Sequence, residues 1–294
     1  MQAELILDAR NATGESPVWV VREQALYWVD IPARTLHRWS PDTRAVQSWT
    51  GPQMLGCIAP LGAGRWIAGL ETGIAAIEPR DDGTLHVEPL AEVRHLMSAM
   101  RFNDGRCDRQ GRFWAGTMVL DMAAGHRVGG LYRFQHGAPL LPVLSGFIVP
   151  NGLAFSPDGT TMYLSDSHSS VQTVWAFDYQ PETGQPSNRR IFVDMTPLPG
   201  RPDGAAVDVD GCYWICGNDA GLVHRFTPDG RLDRSLAVPV KKPAMCAFGG
   251  PRLDTLLVTS IRPAGIDLSD QPLAGGVFAL RPGIQGIEEP HATL

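Results

Sequence analysis

Four side chains able to donate oxygen occupy similar surroundings along the chain. They are Glu15 in Gly14-Glu15-Ser16-Pro17, Asn103 in Arg101-Phe102-Asn103-Asp104-Gly105, Asn151 in Pro150-Asn151-Gly152 and Asp203 in Pro202-Asp203-Gly204. Each stands just ahead of an apolar, strand-like run, and a second run carrying an aromatic follows. Brought together, Glu15, Asn151 and Asp203 would offer one divalent cation nothing but oxygen, with Asn103 as a further contributor. Two carboxylates balance the charge and carboxamides fill positions without adding any. That set suits Ca2+, Mg2+ or Mn2+ and also admits Zn2+ or Fe2+. Three or four protein ligands leave positions for water and substrate, as a catalytic metal requires. Taken singly, Asn-Gly and Asp-Gly are ordinary turn sequences. A shared position in a repeat is what would make them a site.

The chain has such a repeat. A strand, a polar turn and a strand recur over Ser16 to Asp30, Cys57 to Leu70, Asp104 to Met118, Gly152 to Asp166, Gly204 to Gly217 and Met245 to Ser260. The second strands carry Trp28, Trp66, Trp114, Tyr163, Trp214 and Leu256, spaced 38, 48, 49, 51 and 42 residues apart. A third apolar strand follows each copy, ending at Trp39-Ser40-Pro41-Asp42, Ile77-Glu78-Pro79, Tyr132-Arg133-Phe134, Phe177-Asp178-Tyr179, Phe226-Thr227-Pro228-Asp229 and Phe278-Ala279-Leu280. Helical periodicity is nearly absent, and Gly and Pro punctuate the whole length. Periods of this size predict an all-β, six-bladed propeller of four-stranded blades, one domain over residues 1–294. A ring must hide its last edge, so the strand-like Ala3 to Leu7 is expected to complete the sixth blade beside Val277 to Leu280.

In a propeller the first strands are innermost and run the same way, so the residues ahead of them share one rim. Antiparallel second strands return there. Glu15, Asn103, Asn151 and Asp203 therefore converge, together with Asp30, Asp121, Asp166, Asn218 and Asp219 near second-strand ends. Arg101, two residues before Asn103, could face the same side and donate to substrate hydroxyls or a carboxylate. Among the histidines only His168 is placed near the rim. Asp158-Gly159, Asp210-Gly211 and Asp229-Gly230 fall elsewhere in the repeat and are read as hairpin turns.

Composition narrows the alternatives. With 25 basic and 31 acidic residues the net charge is −6, which argues against a nucleic-acid partner. No apolar run is long enough to span a membrane, and Glu4, Asp8 and Arg10 interrupt the N-terminal segment, so a soluble, cytoplasmic protein is expected. Five cysteines do not suggest a disulfide framework, and Cys212 and Cys216 are read as core. Neither a Gly-x-Ser-x-Gly elbow nor a phosphate-binding loop occurs in strand-then-helix context.

Gly14-Glu15-Ser16-Pro17-Val18-Trp19, Arg101-Phe102-Asn103-Asp104-Gly105, Gly111-Arg112-Phe113-Trp114-Ala115-Gly116-Thr117-Met118, Asn151-Gly152-Leu153, Ser187-Asn188-Arg189-Arg190, Pro202-Asp203-Gly204 and Cys246-Ala247-Phe248-Gly249-Gly250 occur in that order. Over essentially its whole length the chain thus resembles the regucalcin/gluconolactonase family, also called senescence marker proteins. The resemblance implies a six-bladed propeller with one axial divalent metal that hydrolyses sugar lactones. It places the metal ligands on Glu15, Asn151 and Asp203 and the substrate-binding Arg and Asn on Arg101 and Asn103. A sugar-contacting acid of the animal members falls on Asp121, one methylene shorter than the usual Glu. In the expected mechanism the metal polarises the lactone carbonyl while Asp203 serves as base or orients water. The expected partner is a small sugar lactone and the protein a monomer or weak homo-oligomer. Rival readings are a phosphoester or organophosphate hydrolase and a non-catalytic calcium-binding propeller. Negative net charge and a single arginine assigned to the rim weigh against an anionic phosphate substrate.

Overall fold

The computed structural model describes residues 2–294. The repeated segments fold as six four-stranded antiparallel sheets. Blade 1 comprises Gly14–Val20, Ala25–Asp30, Thr35–Trp39 and Val46–Thr50, hydrogen-bonded in that order from the axis outward. The first strands of blades 2 to 6 are Cys57–Gly62, Met100–Cys107, Pro150–Phe155, Arg201–Val207 and Pro243–Gly249. Each packs against its neighbours, and that of blade 1 also meets that of blade 6, so the ring is closed. The sheets are arranged radially as a six-bladed propeller.

The second-strand residues singled out by the repeat explain this arrangement. Trp28, Trp66, Trp114, Tyr163, Trp214 and Leu256 are all buried, each between its own blade and a neighbour. Tyr27 and Trp66 meet across blades 1 and 2 with ring centroids 4.5 Å apart. Six such interfaces replace one central core, because a sheet apolar on both faces must bury both. The sixth blade is completed by the N-terminal strand Glu4–Leu7, which pairs Glu4 with Ala279, Leu5 with Phe278 and Leu7 with Val277. This is the closure expected from the sequence.

One boundary differs from expectation. Glu15, Asn103, Asn151 and Asp203 lie inside their first strands, not ahead of them. Each sits at or beside an irregularity that inserts one extra residue: Glu15/Val18, Phe102/Gly105, Asn151/Ala154 and Pro202/Ala205. Blade 6 has the same bulge at Pro243/Cys246, where Ala244 takes the place of the polar residue. A bulge re-aims one side chain while the ladder resumes on both sides. Its backbone is left-handed at Ser16 (φ 51°) and Gly152 (φ 60°), the residues after Glu15 and Asn151. The serine bears a strain of about 1 kcal/mol and is held by the Ile58 amide, which donates to its Oγ at 2.9 Å. At Gly152 a Cβ would stand 2.4 Å from the Tyr213 hydroxyl, so only glycine fits.

Candidate functional site

The bulges turn four oxygen-bearing side chains toward the axis at one level, and all four line a single open pocket of about 260 Å³. All four are buried. The Asn151 amide Nδ2 donates to Asp203 Oδ1 and to Ser167 Oγ, both at 2.8 Å, which points its carbonyl oxygen the other way. That oxygen is buried and has no hydrogen-bond partner. Asp203 Oδ2 accepts from Asn218 Nδ2 at 2.5 Å. Asn103 is differently engaged: its Oδ1 accepts from Arg101 Nη1 at 2.8 Å and its Nδ2 donates to the Pro150 carbonyl at 3.1 Å. The carboxamide oxygen of Asn151 is therefore free to coordinate, while that of Asn103 is held by a guanidinium.

Electrostatics point the same way. Burial, reinforced by the charges of Asp203 and Asp104, raises the Glu15 carboxyl well above its ordinary range. Burial likewise raises Asp203 to about 7, against the opposing effects of Arg201 and the Asn218 hydrogen bond. Asp104 contributes a third buried carboxylate. One of its oxygens receives the Leu153 amide at 2.8 Å and the other has no partner. Arg101, pulled down to about 10 by burial despite Glu15, is the only cation in hydrogen-bond contact with the set among the described residues. Crowded carboxylates and an orphaned carbonyl oxygen fit a divalent cation, which would neutralise the first and satisfy the second. Among the described residues no three His, Cys, Asp or Glu side chains form a metal-binding group, so the fit rests on two carboxylates plus carboxamide.

The other expected rim residues have distinct places. Asp30 accepts from the Ala12 and Thr13 amides, and Asp166 from those of Ile148, Val149 and His168. Both brace the approach to a first strand. Asp121 is exposed at the head of a short 3-10 turn, and its neighbour Met122, not Asp121, lines the pocket. His168 lines an adjoining depression with Val149 and Arg201. Gly159, Gly211 and Gly230 are left-handed, as hairpin turns require. All five cysteines are buried and unpaired.

Arg201 and Lys242 also line the pocket and were missed by the sequence reading, which placed one arginine there. A signal was present: Arg201 precedes Asp203 by two, as Arg101 precedes Asn103, and Lys242 precedes Ala244 by two. The argument from a single rim arginine against an anionic substrate is corrected accordingly.

Comparison with known proteins adds the following. Residues 13–262 match the family described as the SMP-30/gluconolactonase/LRE-like region. The chain is 42% identical over 288 residues to the 6-deoxy-6-sulfogluconolactonase of Pseudomonas putida, covering 95% of this chain and 94% of that protein. It is 36% identical to the L-arabinolactonase of Azospirillum brasilense, covering 94% and 91%. Among solved structures, a calcium-binding protein, regucalcin, of Agrobacterium tumefaciens superposes with a TM-score of 0.90 at 28% identity, covering 99% and 97%.

Proposed function

The chain belongs to the SMP-30/gluconolactonase/LRE-like family, and from that premise we propose that it is a sugar lactonase that opens an aldonolactone to the aldonic acid with one divalent cation. The observation that carries the metal dependence is the unpartnered Asn151 oxygen beside Asp203, in a pocket that Glu15 also lines. Glu15, Asn151 and Asp203 would hold the cation. Their oxygen-only set suits Ca2+, Mg2+ or Mn2+ and admits Zn2+ or Fe2+. When bound, the cation supplies Lewis acidity to the lactone carbonyl.

The protein's own groups do the rest. Asn151 and Asn218 fix the Asp203 carboxylate through one hydrogen bond to each oxygen. Asp203 takes the proton of the attacking water as its oxygen adds to the carbonyl carbon. The C–O bond of the ring then breaks, and the departing oxygen receives a proton to become a hydroxyl. Arg101, locked onto Asn103 and the Phe102 carbonyl, presents its remaining N–H groups to ring oxygens. Asp121, on the exposed rim segment beside Met122, meets the outermost hydroxyls.

The lactones named for the relatives, one sulfonated at the sixth carbon and one derived from arabinose, set the series to screen by acid release. Chelator should abolish turnover and added divalent cation restore it. Replacing Asp203 by Ala should cost at least ~100-fold in kcat. A chelator-resistant Asp203→Ala protein with near-wild-type activity would refute the mechanism.

A further inference from the structure

The residues two positions ahead of the bulges form a second tier above the first. Thr13, Arg101, Val149, Arg201 and Lys242 come from blades 1, 3, 4, 5 and 6 and all line the same pocket. Three of the five are cationic. Arg101 is committed to the floor through Asn103 and the Phe102 carbonyl. Arg201 and Lys242 come from adjacent blades and are gathered by one carboxylate: Arg201 Nε donates to Asp219 Oδ2 at 2.7 Å, and Lys242 Nζ donates to Asp219 Oδ1. Arg201 Nη2 also reaches Asn218 Oδ1 at 3.3 Å.

Two cations on one carboxylate leave a net positive charge. Arg201 Nη1 has no hydrogen-bond partner, and two ammonium protons of Lys242 are uncommitted. The Arg201 and Lys242 side chains are 23% and 25% exposed, open enough to meet a ligand yet shielded enough for a charge-assisted bond to count. Asp219 pre-organises both, and the chain's overall charge of −6 makes this local positive spot the feature that would attract an anion.

We propose that Arg201 and Lys242 form an anion clamp at the pocket mouth, so that the preferred substrate is an aldonolactone carrying a tetrahedral oxyanion group on the carbon farthest from its carbonyl. The proposal deepens the lactonase reading and rests on it. A purely structural role, tying blade 5 to blade 6, makes a different prediction: loss of stability with no change in discrimination between charged and neutral lactones.

The test compares kcat/KM for gluconolactones carrying sulfonate or phosphate at the sixth carbon with kcat/KM for the unsubstituted lactone. It uses the wild type, Arg201→Met, Lys242→Met and Lys242→Arg. The wild type should favour a charged lactone by about tenfold or more, the scale of one charge-assisted hydrogen bond. Either Met substitution should lower that ratio about tenfold, and Lys242→Arg should recover most of it. The sulfonate and phosphate arms show which oxyanion the clamp takes. Calorimetry with the sulfonated aldonic acid, the stable product, should show binding at least tenfold weaker in both Met variants. A wild-type ratio near one overturns the clamp, and so does a ratio unmoved by both substitutions. If no lactone is opened, the lactonase reading falls, and the product-binding comparison alone decides the clamp.

Discussion

Replacing Asp203 by Asn tests whether burial strain at the site is real. In the cation-free protein the Asp203 carboxyl is raised from 3.8 to about 7, with burial the leading cause. A folded-state value above the unfolded one means that the folded protein keeps a proton the unfolded chain has already released. Stability from this group is therefore fully present below pH about 4 and is lost as pH rises through about 7. Roughly three units correspond to about 4 kcal/mol in all, of which about 2 kcal/mol falls between pH about 5.5 and about 8. In a chain of this length that is a fall in Tm of roughly 4 to 8 °C. The assay is urea or thermal unfolding of wild type and Asp203→Asn, in chelator, at both pH values. The amide cannot ionise, so the wild type should lose about 2 kcal/mol more than the variant; effects of the new amide on its hydrogen bonds are independent of pH and cancel. A cation at about a hundred times its Kd should return about 3 kcal/mol to the wild type and much less to the variant. Parallel pH profiles in chelator would refute the reasoning.

Two further predictions concern the scaffold. Deleting residues 2–10 strips the outer strand from blade 6, uncovers the edge at Val277 and Phe278 and removes Leu5 and Ile6 from the apolar clusters they pack against. The loss should be at least ~5 kcal/mol, and an unchanged melting temperature would show that the closure is dispensable. Asp208 is fully buried and accepts hydrogen bonds from Trp214 Nε1 and Arg225 Nε, both at 2.8 Å, and from the Cys212 amide at 3.0 Å. Asp208→Ala should cost about 3 to 5 kcal/mol in chemical denaturation by leaving Arg225 short of its buried partner; a loss below about 1 kcal/mol would mean that Asp210 and Asp233 hold Arg225 unaided.

The six copies of Trp28, Trp66 and their equivalents made the blade count legible, because an aromatic that must fill each interface recurs at each interface. The closure was legible for the same reason: Ala3 to Leu7 is an apolar strand with no partner in its own repeat. Strand starts were less readable. Asn-Gly and Asp-Gly pairs carry the local signature of turns, and only hydrogen bonding on both sides of a bulge distinguishes the two. The division of labour between the asparagines was invisible for a related reason: the Asn151 oxygen is free and the Asn103 oxygen is taken only because Arg101 lies beside one and Asp203 beside the other. Arg201 and Lys242 escaped notice because Pro202 and Pro243 after them suggested loop. The outer strands Val46–Thr50 and Leu232–Ala237, mostly exposed, gave little apolar signal, as edge strands generally do.

The pairing of Glu4 with Ala279 also imposes an order in time. During synthesis the N-terminal strand leaves the ribosome first, while its partner Val277–Leu280 is among the last segments made. At ribosomal speeds the interval is on the order of 15 to 55 seconds. Throughout it Leu5, Ile6 and Leu7 form an orphan strand next to five blades already able to collapse. Contacts of such long sequence separation slow folding and prolong exposure to aggregation. The seam that completes the ring is therefore the last bond of the fold to form, and the vulnerable period of this protein ends only when its two ends meet.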